Sequence, residues 1–325
     1  MALVELMEAS TSSTVTGLAT ELTLARQLLV DTQTSLGVRA GCQLWERFFA
    51  LSGGGEKEFP SYKRSLIAQG RAFCATTAPQ CRIKIAALAV DFLRDDCTVL
   101  THNYSRTVIQ TILRAHKQHK RVKVYVTEAR PSCLGMRTHE ILTDAGIPCT
   151  VVLDSAVAYV MDRVDMVLVG TEAVVESGGL VSSTGTYQVA LIAKAMQKPF
   201  YALAESYKFL RHYPLSQTDL PIPRLASSSV ELPLSFPLAV PHPPPIPTSK
   251  PASAPVRGED QDSPEIANTV NKIRLGRLEV TKAMEKLNPL VDVTTPDLID
   301  FIITDLGAPL SPTSVSQYLV AQFSS

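Results

Sequence analysis

Residues 97–127 read CTVLTHNYSRTVIQTILRAHKQHKRVKVYVT. This stretch begins with a short apolar run at Thr98–Thr101, continues with apolar residues at helical spacing over Arg106–His116, and ends with a β-branched run at Val122–Thr127. A strand, a helix and a second strand in this order predict a βαβ unit, in which the two strands are parallel.

The same alternation continues beyond this unit. Three more strands are predicted at Thr150–Leu153, Met166–Val169 and Phe200–Ala204, and three more helices at Met136–Ala145, Ala156–Met161 and Tyr187–Met196. Because the strands are apolar almost throughout, both faces of the sheet should be covered by helices. The sequence therefore predicts an α/β, Rossmann-like doubly wound domain over residues 95–220, with ligands bound beyond the carboxyl ends of the strands.

The residues before this domain show helical periodicity alone. Helices are predicted at Thr16–Val30, Ala40–Leu51, Tyr62–Cys74 and Arg82–Phe92, with a break at Ser52-Gly-Gly-Gly55. We therefore expect an N-terminal helical domain over residues 1–94.

A proline-rich segment interrupts the C-terminal part. Of the 22 prolines, 12 lie between Pro221 and Pro264, which predicts a disordered or polyproline-like insertion over residues 221–267. An SH3-type partner for this segment is an open alternative. A charged helix is predicted at Asn268–Leu287, and the apolar segments Leu298–Leu306 and Ser314–Phe323 should return to the core. Residues 268–325 would then be the C-terminal part of the Rossmann-like domain.

Composition excludes several classes of protein. The 31 basic and 31 acidic residues give a net charge of zero, which argues against a general binder of nucleic acid or membrane surfaces. No secretory signal and no apolar run of roughly 20 residues is present, so we expect a protein of the cytosol without membrane contact. The six cysteines form no CxxC pair, so no metal site is predicted and they should be small buried hydrophobes in a reducing compartment: Cys42, Cys74, Cys81, Cys97, Cys133 and Cys149.

Two loops after predicted strands could bind an anion. In the first, Thr101-His-Asn-Tyr-Ser-Arg106, backbone N–H groups at the start of a helix and Arg106 favour phosphate, although an ordinary βα turn is the alternative. His102 could be catalytic or simply hydrogen-bonded beside the strand end. After the fifth strand, Lys208 could point a charge into the same crevice or be a solvated lysine.

The second loop, Gly170–Thr186, contains Gly178, Gly179 and Gly185, which would permit a phosphate cradle facing the first loop. It has neither a Walker sequence nor GxGxxG spacing. Within it, Glu172 could act as a general acid or base, or it could cap a turn.

Seven short motifs occur in an order and spacing that resemble the alpha, beta and delta subunit family of initiation factor 2B. The resemblance runs from about Leu44 to Asp219 and resumes from about Asn288. The motifs are Thr98–Arg106, Val124–Glu128, Thr150–Asp154, Val169–Gly179, Lys198–Tyr201, Ala204–Phe209 and Thr304–Gly307.

The same fold resembles ribose-1,5-bisphosphate and methylthioribose-phosphate isomerases. Their catalytic Cys falls on Asn103 and their catalytic Asp on Glu172, and an Asn–Lys pair that holds substrate falls on Ser182 and Ser183. Asparagine cannot replace the thiol in proton transfer. No catalytic residue and no cofactor are therefore expected. The resemblance instead implies a sugar-phosphate ligand bound without turnover by Arg47, Ser105, Arg106, Glu172, Ser182, Ser183 and Lys208.

The resemblance also implies a role and partners. It implies a regulatory, non-enzymatic subunit of the guanine-nucleotide exchange factor for initiation factor 2. Such a subunit would form a homodimer through its α/β domain and bridge two sets of beta, gamma, delta and epsilon subunits. Its helical domain would face the phosphorylated alpha subunit of initiation factor 2. The alternative is an active sugar-phosphate isomerase. Asn103 argues against it, because it occupies the position of the catalytic Cys.

Overall fold

The computed structural model describes residues 2–32, 36–52, 59–220 and 287–324. Up to Leu220 and from Leu290 onward these residues belong to one compact unit. A second unit, Ser229–Pro289, lies almost wholly outside the described residues, as do the predicted insertion 221–267 and most of the predicted helix Asn268–Leu287. The helices are α1 Ala2–Ala9, α2 Val15–Thr32, α3 Leu36–Ser52, α4 Phe59–Ala72, α5 Ala78–Ala89, α6 Arg106–Lys117, α7 Gly135–Asp144, α8 Val157–Met161, α9 Thr186–Ala195 and α10 Val315–Ser324.

Six parallel strands form the main sheet, in the order β10–β7–β4–β1–β2–β3. The five predicted strands are confirmed to within one or two residues at their ends, and β10 is a sixth that periodicity missed because it spans three residues. The order is that of a doubly wound fold, with a switch point between β1 and β4. The bounds are β1 Cys97–His102, β2 Val122–Thr127, β3 Cys149–Val152, β4 Met166–Gly170, β7 Phe200–Leu203 and β10 Phe301–Ile303.

Helices cover both faces of the main sheet, as predicted. On one face α8, α9 and α10 contribute Val160, Val189 and Leu319 to a continuous apolar core. On the other face α5 and α6 contribute Ile85 and Ile112, which are fully buried. Burying apolar surface on both faces of a parallel sheet explains why its strands contain so few polar residues.

A second, four-stranded sheet corrects the prediction of one long loop over Gly170–Thr186. That segment forms an antiparallel hairpin whose strands pair with β8 and β9 in the order β8–β5–β6–β9. Strands this short show no readable alternation, and the partner of β6 lies more than a hundred residues away in sequence, so local pattern could not reveal it. The bounds are β5 Ala173–Val175, β6 Leu180–Ser183, β8 Phe209–Leu210 and β9 Val291–Thr294.

The N-terminal region is helical, as predicted, although α1 was missed. Helices α1, α2 and α4 share a core that includes Val4, Met7, Leu18 and Leu66. A π-helical turn, Phe73–Thr77, joins α4 to α5. The predicted domain division at residue 94 stays a prediction. Across the described ranges, the helices fall short of the length and apolarity needed to cross a membrane.

The prediction that all six cysteines are buried is confirmed for three of them. All six lie in the described part of the chain, and none is in a disulfide. Cys42, Cys81 and Cys97 are buried, whereas the other three are half-buried. Burial raises the pKa of Cys81 to about 12, with a hydrogen bond to Asp305 adding to the effect, so this thiol is protonated and unreactive at neutral pH.

Candidate anion-binding site

A cavity of about 850 Å³ lies at the carboxyl ends of β1 and β4, where the strand order reverses. Six of the seven residues predicted to bind a sugar phosphate line it: Ser105, Arg106, Glu172, Ser182, Ser183 and Lys208. The seventh, Arg47, belongs to α3, and its side chain lies outside the described residues. Gly37 and Val38 of the same helix do line the cavity.

The first predicted loop contributes the start of α6 to the cavity wall. Ser105 is the N-cap of this helix, and its hydroxyl accepts a hydrogen bond of 3.4 Å from the backbone N–H of Val108. Ser105, Arg106 and Thr107 all line the cavity, and Arg106 is exposed. A helix N-terminus with an adjacent arginine favours an anion at this end of the cavity.

His102 is held as a structural residue. Its Nε2 atom donates to the Thr184 carbonyl oxygen at 2.9 Å, and its Nδ1 atom lies 2.6 Å from the Thr127 hydroxyl. Because a carbonyl can only accept, the hydrogen is on Nε2, and Nδ1 is the acceptor. Burial lowers the pKa of this imidazole, so it is neutral. Of the two readings of His102, the structure favours the hydrogen-bonded residue at the strand end.

Asn103 joins β1 to the second sheet. It has a left-handed backbone, with φ of 62°, a conformation that asparagine tolerates better than most residues. Its amide nitrogen donates to the Ser183 hydroxyl, and its amide oxygen accepts from the Ser132 hydroxyl at 3.4 Å. Both ends of the amide are therefore engaged, and an amide neither gains nor loses a proton at neutral pH.

Lys208 is anchored at the cavity by a buried carboxylate. Its ammonium lies 2.7 Å from Glu205 Oε2 and donates to the Thr171 carbonyl oxygen at 2.8 Å. Glu205 is only 1% exposed, and it also accepts from the Thr107 hydroxyl at 3.1 Å. Burial alone would raise the pKa of Glu205, but the Lys208 charge and the hydrogen bonds outweigh it and lower this pKa. Lys208 therefore lines the crevice, and its charge is partly compensated by Glu205.

Sequence reasoning missed the basic wall that the β2–α7 loop and the first turn of α7 contribute to the cavity. Arg130 and Arg137 line the cavity, and the Arg137 guanidinium stacks 4.8 Å from the centre of the Tyr104 ring. The pairing of β2 with β1 brings this wall to the first loop, and strand adjacency was the signal that could have found it. Among the described lining residues, basic side chains outnumber acidic ones: Arg106, Arg130, Arg137 and Lys208 against Glu172 and Glu205.

The predicted glycine cradle is wrong. Gly178 and Gly179 form the turn of the β5–β6 hairpin and are absent from the described lining residues of the cavity. Gly178 has φ of 86°, and a Cβ atom there would collide with the Pro312 carbonyl oxygen. Gly185 instead lies against His102: a Cβ atom added at this position would be 2.7 Å from the imidazole Cε1 atom. The hairpin therefore presents Ser182 and Ser183 to the cavity and turns its glycines away.

Asp292 of β9 is hydrogen-bonded to the start of α9, next to the cavity-lining residues Thr184 and Thr186. Its Oδ2 atom accepts from the backbone N–H groups of Gly185 at 2.7 Å and Tyr187 at 3.1 Å, so it caps α9 from the distant strand β9. Its Oδ1 atom is buried and has no hydrogen-bond partner among the described residues. Burial raises the pKa of Asp292 to about 6.

We expect Asp292 to make stability depend on pH between about 4 and 6. Its pKa is raised from 3.8 to about 6 in the folded state, so its contribution is fully present below the unfolded pKa and is lost as pH rises through the folded pKa. On moving from pH 7 to pH 4, the free energy of unfolding of the wild type should rise relative to Asp292→Asn by on the order of 2 kcal/mol. Urea unfolding of both proteins at several pH values measures this difference. Parallel pH profiles would contradict the assignment.

Among the described residues, no group of His, Cys, Asp and Glu side chains could hold a metal ion. The site is a basic cavity at the switch point of a Rossmann-like sheet. The chain matches the Initiation factor 2 subunit family over residues 1–310, and it belongs to that family.

Two relatives match almost the whole chain, and a third matches about three quarters of it. The translation initiation factor eIF2B subunit alpha of Dictyostelium discoideum is 34% identical over 323 residues, 98% of this chain and 88% of the relative. The corresponding subunit of Caenorhabditis elegans is 31% identical over 325 residues, with 99% and 90% covered. A ribose 1,5-bisphosphate isomerase of Archaeoglobus fulgidus is 32% identical over 247 residues, 76% of this chain and 64% of the isomerase.

Solved structures share the fold. A chain of the tetrameric eIF2B-beta2-delta2 complex from C. thermophilum superposes with a TM-score of 0.64 at 18% identity, covering 99% of this chain and 86% of that chain. The translation initiation factor eIF-2B of Pyrococcus horikoshii OT3 gives a TM-score of 0.55 at 20% identity, with 96% of each chain covered.

Proposed function

We propose that this protein is the regulatory alpha subunit of eIF2B, the guanine-nucleotide exchange factor for initiation factor 2. The observation that carries the proposal is the identity to two eIF2B alpha subunits, which extends over 98% and 99% of the chain. A chain that shared only one domain with these subunits would align with them over that domain alone. Here both the N-terminal helical region and the sheet align with them.

The proposed partners are the beta, gamma, delta and epsilon subunits, a second copy of this chain and the phosphorylated alpha subunit of initiation factor 2. In this proposal the protein works in the cytosol and bridges two sets of subunits as a homodimer. The fold it shares with a chain of an eIF2B-beta2-delta2 complex supports assembly with related subunits.

A reconstituted exchange assay tests the proposed role. The beta, gamma, delta and epsilon subunits would be purified, and release of GDP from initiation factor 2 measured with and without this chain. We expect the chain to join the complex and to make exchange sensitive to phosphorylated initiation factor 2. A chain that elutes separately and leaves exchange and its inhibition unchanged would refute the proposal.

The cavity is proposed to bind a sugar phosphate without converting it. The start of α6 and the side chains of Arg106 and Lys208 suit a phosphate group. The Ser183 hydroxyl lines the cavity, and because it accepts from the Asn103 amide it keeps its own hydrogen to donate to a sugar hydroxyl. Asn103 cannot act as the acid or base of an isomerase, which supports binding without turnover.

An active sugar-phosphate isomerase is the second candidate. The identity to the isomerase of Archaeoglobus fulgidus and the carboxylate of Glu172 in the cavity favour it.

We expect no isomerase turnover by the purified protein. The substrates to test are ribose-1,5-bisphosphate and methylthioribose-1-phosphate, with product detected by mass spectrometry and the archaeal isomerase as the positive control. Conversion by the wild type that disappears in Glu172→Ala would contradict the expectation, because contamination would survive that substitution.

A further inference from the structure

The Thr304-Asp-Leu-Gly307 motif stood out in the sequence, yet none of its residues is among the described residues that line the cavity. Its position explains what it does. Parallel pairing of β10 with β7 sets Ile303 beside Leu203, and the Ala204 N–H donates to the Ile303 carbonyl oxygen at 3.1 Å. Asp305, which follows β10, therefore lies next to the segment that follows β7 and contains Lys208.

Lys208 lies on a single 3₁₀ turn, Ser206–Lys208, which follows β7. Glu205 is the N-cap residue of this turn, but its side chain makes no capping hydrogen bond, because it contacts the Lys208 ammonium instead. The backbone N–H of Ser206, at the start of the turn, therefore has no acceptor within the turn and needs one from elsewhere in the chain.

Asp305 supplies that acceptor from the other strand. Its Oδ1 atom accepts from the Ser206 N–H at 2.7 Å, and its Oδ2 atom accepts from the Ser206 hydroxyl at 2.9 Å. Because one carboxylate accepts both hydrogen bonds, it fixes the backbone and the side chain at the first position of the turn. The orientation of the turn, two residues before Lys208, is thereby tied to the end of β10.

We propose that Asp305 is a positioning residue that holds Lys208 at the cavity by capping the turn Ser206–Lys208. A lysine side chain is a flexible four-carbon stem, and fixing it on binding costs conformational entropy. With the turn capped, the Lys208 ammonium stays between Glu205 and the Thr171 carbonyl oxygen before any ligand arrives. The consequence for binding rests on the proposed sugar-phosphate ligand, whereas the consequence for Lys208 itself does not.

The first experiment needs no ligand. Brief acetylation with acetic anhydride, followed by mass spectrometry, measures the reactivity of Lys208 in the full chain. Asp305→Ala should raise the labelling rate of Lys208 about three- to tenfold, since the ammonium then leaves its carboxylate more often. Asp305→Asn keeps an acceptor for the Ser206 N–H and should restore most of the protection.

Asp300→Ala is the matched control. Asp300 also accepts a backbone N–H of β7, from Phe200 at 2.7 Å, but it does so at the opposite end of the strand. Labelling of Lys208 should be unchanged in this variant. Equal labelling of Lys208 in Asp305→Ala and wild type, or an equal rise in Asp300→Ala, would overturn the proposal.

The second experiment measures the affinity for ribose 5-phosphate by calorimetry. Asp305→Ala should weaken binding about three- to tenfold in the wild-type background and should have no further effect in a Lys208→Ala background, because it acts through Lys208. If Asp305→Ala weakens binding by the same factor in both backgrounds, the two losses of affinity are additive. Asp305 then does not act through Lys208, and the positioning role is overturned. A wild type that binds no ribose 5-phosphate would count against the proposed ligand, while the labelling result would still decide the role of Asp305.

Discussion

Replacing Lys208 by alanine is expected to weaken sugar-phosphate binding about ten- to a hundredfold. The Lys208 side chain is 20% exposed and lines the cavity, so a phosphate that reaches its ammonium makes a charge-assisted hydrogen bond shielded from much of the water. Such a bond contributes roughly 1.5–3 kcal/mol, and ~1.4 kcal/mol corresponds to one decade in affinity. A thermal-shift titration with pentose and hexose phosphates measures the loss, because a ligand that binds the folded state raises the melting temperature with its concentration.

Lys198→Ala is the matched control for this titration. Lys198 is also half-buried and also donates to a backbone carbonyl, that of Asp162 at 3.5 Å, but it precedes β7 whereas Lys208 follows it. Its loss should leave the ligand response unchanged. If millimolar sugar phosphates fail to shift the wild type, or if both lysine variants respond like the wild type, the cavity does not bind these ligands through Lys208.

Gly178→Ala is expected to destabilise the fold by about 2–4 kcal/mol without changing ligand affinity. Gly178 has φ of 86°, which costs any other residue roughly 1–2 kcal/mol. The added Cβ would also meet the Pro312 carbonyl group, with its carbon at 2.6 Å, and moving that backbone adds a further cost of about 1–2 kcal/mol. Thermal unfolding should show a melting temperature lower by roughly 5–10 °C.

Gly146→Ala separates the two costs. Gly146 has a similar φ of 80°, but nothing lies within 4 Å of its Cβ position. This variant should show only the backbone cost of roughly 1–2 kcal/mol. Equal destabilisation by the two variants would mean that the contact with Pro312 is unimportant. A loss of sugar-phosphate affinity in Gly178→Ala at a temperature where it is folded would contradict the placement of Gly178 in a turn outside the cavity.

Residues 97–127 were sufficient to predict the class of fold. Their alternation of apolar strand and amphipathic helix depends on side chains close together in sequence, which is the range over which hydrophobic periodicity is informative. The same local logic placed a binding crevice after β1, because parallel strands end at one edge of their sheet. It therefore identified Ser105, Arg106 and Lys208 as neighbours.

The roles of the residues around that crevice depend on contacts between residues far apart in sequence. Hydrophobic periodicity does not predict such contacts. Strands β5 and β6 become a sheet only when β9 joins them, and this pairing turns Gly178 away from the cavity and Ser182 toward it. Asp292 and Asp305 likewise act on residues about a hundred positions away, as helix and turn caps. Local sequence predicts the elements because their hydrogen bonds are local, whereas these caps and strand pairs are satisfied only when the folded backbone brings distant groups within bonding distance.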